Sequence, residues 1–189
     1  MERKQSLQSY LLCALFAALI AICSQIMVPL PFTPVPINLA LLAVWVCGGV
    51  LGAKKGVVSV GVYILLGAIG VPVFHGLQGG LGIMAGPTGG YIIGFLPAVA
   101  IMGLLSQCRG RPRRKGAAAN AIFTIVIGLP ALAACYGLGT AWFMISTGTG
   151  FAAAMLLCVI PFIPGDILKL VGAGAVCAAL EKPMRVLAR

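Results

Sequence analysis

Acidic residues are nearly absent from this chain. Its 189 residues include three Asp or Glu against thirteen Lys or Arg, a net charge of +10. Charged residues of either sign make up only 8%, where soluble domains carry about 25%. That scarcity excludes a water-soluble fold of this length. An excess of positive charge can point to nucleic acid, but here the basic residues form short clusters between apolar runs, so no nucleic-acid partner is expected. Other shortages narrow the chemistry. There is one histidine, His75, and no second ligand accompanies it at metal-binding spacing, so no metal site is expected; a loop histidine of this kind reads as solvated. The seven cysteines (Cys13, Cys23, Cys47, Cys108, Cys135, Cys158 and Cys177) are scattered, with no C-x-x-C pair. That spacing fits neither a zinc site nor a disulfide framework, and they read as small apolar fillers of helices. No G-K-[ST] follows the Gly-rich segment at 76–90, so there is no nucleotide site, and ATP-driven work has to come from another protein. Neither a catalytic group nor a cofactor is expected.

What is present is hydrophobic: 61% of the residues are apolar, and the mean hydropathy is +1.11. A helix needs about 20 apolar residues to cross a bilayer. The runs predict an all-α polytopic membrane protein with six transmembrane helices, at residues 7–28, 37–53, 56–72, 84–107, 117–138 and 165–182, forming one transmembrane domain over residues 1–189. The first run follows a charged start, as a signal peptide would, but its length makes it a retained helix. The apolar stretch 151–160 is half of spanning length and ends at Pro161 and Pro164-Gly165, which predicts a short helix lying at the surface or re-entering the protein. Six crossings put Arg3 and Lys4, Lys54 and Lys55, Arg109–Lys115, and Lys182, Arg185 and Arg189 on one side. The opposite loops, 29–36, 73–83 and 139–164, contain no Lys or Arg. The positive-inside rule then places both termini in the cytoplasm. The Arg109–Lys115 run reads as a topology determinant or as a contact for anionic lipid or a partner.

Against this background one acid–base pair stands apart, Asp166 and Lys169 in an apolar stretch. Ionisable residues near hydrocarbon are expensive and mark functional sites, although an i, i+3 pair can also simply neutralise itself on its helix. Pro164 and Gly165 place Asp166 in the first turn of the last helix, where its charge complements the helix dipole, and Lys169 lies one turn deeper on the same face. The loops on the uncharged side add candidates. Pro29–Pro36 holds four prolines in eight residues, a stiff segment that loses little entropy on closing over a ligand and that also reads as a rigid connector. The segment Pro72–Tyr91 is rich in glycine, whose backbone approaches a ligand closely, and Thr88 and Gly89 within it are ligand-binding candidates. Phe32, Phe74 and Tyr91 are candidates to enclose apolar rings. In the first helix Ala14/Ala18 and Ala17/Ala21 are small residues at i, i+4, which permit close approach of another helix, either of this chain or of another subunit.

Four motifs occur in order: PFTPVPIN at 31–38, GVPVF at 70–74, GPTGGYIIGF at 86–95 and PFIPGDILK at 161–169. Together they resemble the BioY family, the biotin-binding S components of energy-coupling factor transporters, over nearly the whole chain. The resemblance implies a six-helix protein of the bacterial cytoplasmic membrane that binds biotin from outside and works with a transmembrane coupling subunit and ATPase subunits. The acid and lysine of PGDxxK, here Asp166 and Lys169, are implied as part of the biotin site, and Ala14 and Ala18 as the docking face for the coupling subunit. One departure is Ile37-Asn38-Leu39-Ala40, where the family often carries a glutamine in an I-T-L-Q pattern. A second reading is an ion-coupled secondary transporter of another small vitamin-like solute with Asp166 as carrier; such folds show inverted repeats with broken helices in both halves, and no convincing repeat occurs here. Biotin chemistry suits the pair. A carboxylate accepts ureido N–H bonds, and an ammonium donates to the ureido carbonyl or pairs with the ligand carboxylate; which group meets which charge stays open at this level.

Overall fold

The structure, a computed structural model, describes residues 2–108 and 117–187, with side chains over 7–107 and 122–180. The basic run Arg109–Lys115 lies outside the described residues, as do the side chains of Arg3, Lys4, Lys182 and Arg185. The elements run α1 (Glu2–Gln25), β1 (Met27–Val28), β2 (Ile37–Asn38), α2 (Ala40–Ala68), a 3-10 turn (His75–Leu77), α3 (Leu81–Ala85), α4 (Gly89–Cys108), α5 (Ala117–Thr147), α6 (Phe151–Cys158) and α7 (Ile163–Leu187). Among the described residues, five helices (α1, α2, α4, α5 and α7) are long and apolar enough to cross a membrane.

The runs expected at 37–53 and 56–72 fall on one helical stretch, α2, broken at Gly52 with φ +78 and ψ 177. That conformation is open essentially to glycine alone. A Cβ placed on Gly56 would come within 3.6 Å of the Gly48 Cα, whereas eight residues of straight helix span about 12 Å. The chain therefore turns back on itself at Gly52. The Gln107 side chain occupies the space where a Gly52 Cβ would stand. Gly52→Ala is expected to destabilise the protein by roughly 1–3 kcal/mol, the strain of an L-residue in this region, read as a lower midpoint of thermal unfolding in detergent; an unchanged midpoint would show that the turn tolerates a side chain.

Other boundaries differ from the sequence reading. The run expected at 7–28 ends at Gln25, with Met27–Val28 in β1; the run expected to reach 72 ends at Ala68; and the last helix, expected at 165–182, is α7, Ile163–Leu187. The run expected at 84–107 divides into α3 and α4, because Gly86-Pro87 interrupts the ladder. The helix expected to end near 138 continues to Thr147. Gly137 and Gly139 do not break it, because α4 packs against it and the Tyr91 ring fills the notch at Gly139. The short helix expected within 151–160 is α6.

At one end of the bundle the Lys55 ammonium reaches the Ser9 hydroxyl of α1 at 2.9 Å, and Gln107 of α4 meets Gly52. At the other end lie the two-stranded ribbon, the proline-rich loop, the 3-10 turn and the start of α7. The main core joins α1, α2, α4, α5 and α7 around Trp45, Tyr63, Phe74, Phe95 and Leu170. A smaller cluster of Val35, Phe143, Ala154, Cys158 and Phe162 lies under the proline-rich loop. Many large apolar side chains point outward, among them Leu7, Leu11, Leu15 and Ile22 of α1, as a lipid-facing surface requires.

Candidate ligand-binding site

The site is built at the start of α7. Pro164 suits the first turn of a helix, where its missing N–H has no intrahelical partner to lose. The Asp166 N–H donates to the Phe162 carbonyl at 2.9 Å, which sets the carboxylate at the head of the helix. Its Oδ1 accepts from the Lys169 Nζ at 2.7 Å. Its Oδ2 accepts from the Tyr136 hydroxyl of α5 at 2.5 Å. Asp166 is 3% exposed and Lys169 8%. Removing two charges from water is costly, and the pair is sustained only when the remaining lone pairs are also satisfied; the Tyr136 hydroxyl does this for Oδ2.

A cavity of about 60 Å³ lies over the pair, lined among others by Pro36, Asn38, Tyr91, Phe95, Tyr136 and Phe162. The proline-rich loop therefore reaches the site through its second half. Val35 is buried while Phe32 stands 54% exposed. The Thr33 hydroxyl accepts the Val35 N–H at 3.2 Å, and the Asn38 side-chain Oδ1 accepts the Ala40 N–H at 3.1 Å at the head of α2. Both contacts stiffen the segment. Beside this cavity, between α5 and α6, lies an apolar groove of about 370 Å³ lined by Tyr136, Gly137, Thr140, Ala141, Phe151 and Met155, with Met144 and Val159. Tyr136 is common to both.

The structure brings three of the sequence candidates together: Asp166, Lys169 and Tyr91, whose hydroxyl pairs with that of Thr140 at 3.1 Å. The others lie elsewhere. Phe32 is at the exposed turn of the loop. Phe74 is fully buried, packed edge-on against Tyr63 with centroids 5.5 Å apart and seated in the notch at Gly67; it anchors the loop after α2 rather than lining the cavity. The Thr88 carbonyl accepts the N–H groups of Tyr91 and Ile92 at 3.1 and 3.2 Å, so Thr88 sits at the position just before α4 and caps its first turn. Gly89 lies so close to the Met84 carbonyl that a Cβ would collide with it, so this glycine serves the α3–α4 corner. Ala14 and Ala18 are exposed, whereas Ala17 is buried in the main core and Ala21 is partly buried against it. The small-residue pairs of α1 thus divide between an inner and an outer face. His75 sits in the 3-10 turn, where burial lowers its pKa. No cluster of metal ligands occurs among the described residues.

Sequence reasoning missed Tyr136. Its one signal was a phenol inside the apolar run 117–138, since a buried Tyr hydroxyl usually has a partner.

The chain matches the BioY family over residues 1–186. It is 39% identical over 170 residues to a probable biotin transporter BioY of Pyrococcus horikoshii, covering 90% of this chain and 94% of that one. It is 35% identical to the biotin transporter BioY of Rhizobium etli, covering 93% and 91%, and 38% identical to that of Rhodobacter capsulatus, covering 94% and 96%. The crystal structure of the S-component for biotin from an ECF-type ABC transporter superposes with a TM-score of 0.87 at 26% identity, covering 100% of both chains.

Proposed function

The chain belongs to the BioY family, and we propose on that premise that it captures biotin as the substrate-specific subunit of an energy-coupling factor transporter of the cytoplasmic membrane. It is not an enzyme. The observation that carries the reading is the buried Asp166–Lys169 pair facing a cavity beneath the proline-rich loop. Such a site offers an acceptor for ureido N–H groups and a donor for a carbonyl or carboxylate, both charge-assisted, while Tyr91, Phe95 and Phe162 supply apolar walls for the ring system. The functional unit is a single membrane-embedded domain. Six crossings follow if the two halves of α2, which turn back at Gly52, each cross. Lys54 and Lys55 beside that turn, together with the contact between Lys55 and Ser9, support a cytoplasmic position for this end and hence for both termini. The site then opens to the outside.

Transport needs partners, a coupling subunit in the membrane and ATPase subunits beneath it, because the sequence contains no nucleotide motif. Equilibrium binding of radiolabelled biotin to the purified protein tests the reading. Saturable binding that excess thiamine and riboflavin do not displace is expected. Absence of saturable binding, or displacement by either vitamin, would overturn it.

A further inference from the structure

The Asp166 carboxylate meets two internal donors at once, and the cavity above it is small. Its volume, about 60 Å³, is well below the roughly 300–1,000 Å³ of ligand sites. A fused bicycle with an aliphatic tail does not fit beside the Tyr136 ring where that ring now stands. The same ring forms a wall of the 370 Å³ groove between α5 and α6, which has room for it. The groove is apolar, with Ala141 lining it from α5 and Met155 from α6. One short hydrogen bond, from the Tyr136 hydroxyl to Asp166 Oδ2 at 2.5 Å, ties the ring to the site side.

We propose that Tyr136 is a displaceable placeholder: its hydroxyl occupies the position on Asp166 Oδ2 that a ligand N–H takes over, and its ring then swings into the α5–α6 groove, enlarging the site. The inference rests on the biotin reading above and concerns how that site admits its ligand. The hydroxyl keeps the buried carboxylate satisfied while no stronger arrangement is present, since an unsatisfied buried acceptor is costly. It therefore competes with the ligand. The apparent affinity is lowered by the fraction of protein in which Tyr136 has moved aside.

The sign of one substitution decides the matter. Tyr136→Phe keeps the ring but removes the competing donor, so it is expected to bind biotin more tightly, by roughly three- to tenfold. If the hydroxyl instead holds Asp166 for the bound ligand, the same change weakens binding. Weaker or unchanged binding overturns the proposal. Filling the groove tests the path of the ring. Ala141→Trp is expected to slow biotin association at least tenfold in stopped-flow measurements, and to have no further effect in a Tyr136→Ala background, where there is no ring to move. Association unchanged by Ala141→Trp, or slowed equally in both backgrounds, overturns it. Met155→Trp repeats the test from the opposite wall should Ala141→Trp not insert. A wild-type protein that binds no biotin overturns the functional reading and this inference together; a binding wild type with the wrong sign in Tyr136→Phe overturns this inference alone.

Discussion

Asp166→Asn is expected to weaken biotin binding by two to three orders of magnitude, with Lys169→Ala close behind. The pair is almost wholly buried, and the 2.7 Å contact joins its charges directly. Breaking a buried pair by removing one partner costs about 3–5 kcal/mol, because the other charge remains unpaired in a low-dielectric setting, and each 1.4 kcal/mol is about tenfold in affinity. Part of that loss falls on folding rather than binding, and a third variant separates the two. Replacing both charges by neutral residues of similar shape, as in Asp166→Asn with Lys169→Met, leaves no unpaired charge and is often near neutral for stability. The double variant is expected to purify monodisperse with a wild-type unfolding midpoint and still fail to bind. Wild-type affinity in either single variant, measured by equilibrium binding, would remove the pair from the site. A double variant that regains affinity would show that the pair acts only on stability.

The second large effect concerns α1. Replacing Ala14 and Ala18 together by Trp is expected to abolish co-purification with a coupling subunit and biotin uptake, while leaving binding by the isolated protein within about twofold of wild type. Small residues let a partner helix approach closely, and two indoles hold it away. The structure supplies the reason that folding should survive: Ala14 and Ala18 are exposed, so the new side chains meet lipid, whereas the same change at Ala17 would strike the core around Phe16, Ile20 and Trp45. Ala17→Trp is therefore the contrasting control, expected to fail in folding, since overpacking a core commonly costs about 1–3 kcal/mol or more. Intact complex formation in the double variant would place the docking face elsewhere. Loss of biotin binding along with assembly would mean that this face supports the fold itself.

Composition and local spacing were enough to read the membrane class, the approximate positions of the apolar helices, the short α6 and the Asp166–Lys169 pair. These are local properties. Hydropathy sums over a window, and two residues three apart on a helix are neighbours whatever surrounds them. The turn at Gly52 was half legible, as a gap between two apolar runs beside Lys54 and Lys55; that the runs fold tightly against each other depends on Gly48 meeting Gly56 and on Gln107 arriving from α4. The rest required tertiary structure. Tyr136 reaches Asp166 across thirty residues of chain, and no spacing rule connects them. Phe32 and Phe74 carried the same apparent promise as Tyr91, yet one turns to the exterior, one seats against Tyr63, and only Tyr91 lines the cavity. Ala14 and Ala17 differ by less than one helical turn, and one faces outward while the other is buried. A helix turns by about 100° per residue, so which side chains face the site follows from how each helix is rotated about its axis. Packing against the neighbouring helices sets that rotation, and a uniformly apolar membrane helix has too little amphipathic contrast for its own sequence to reveal it.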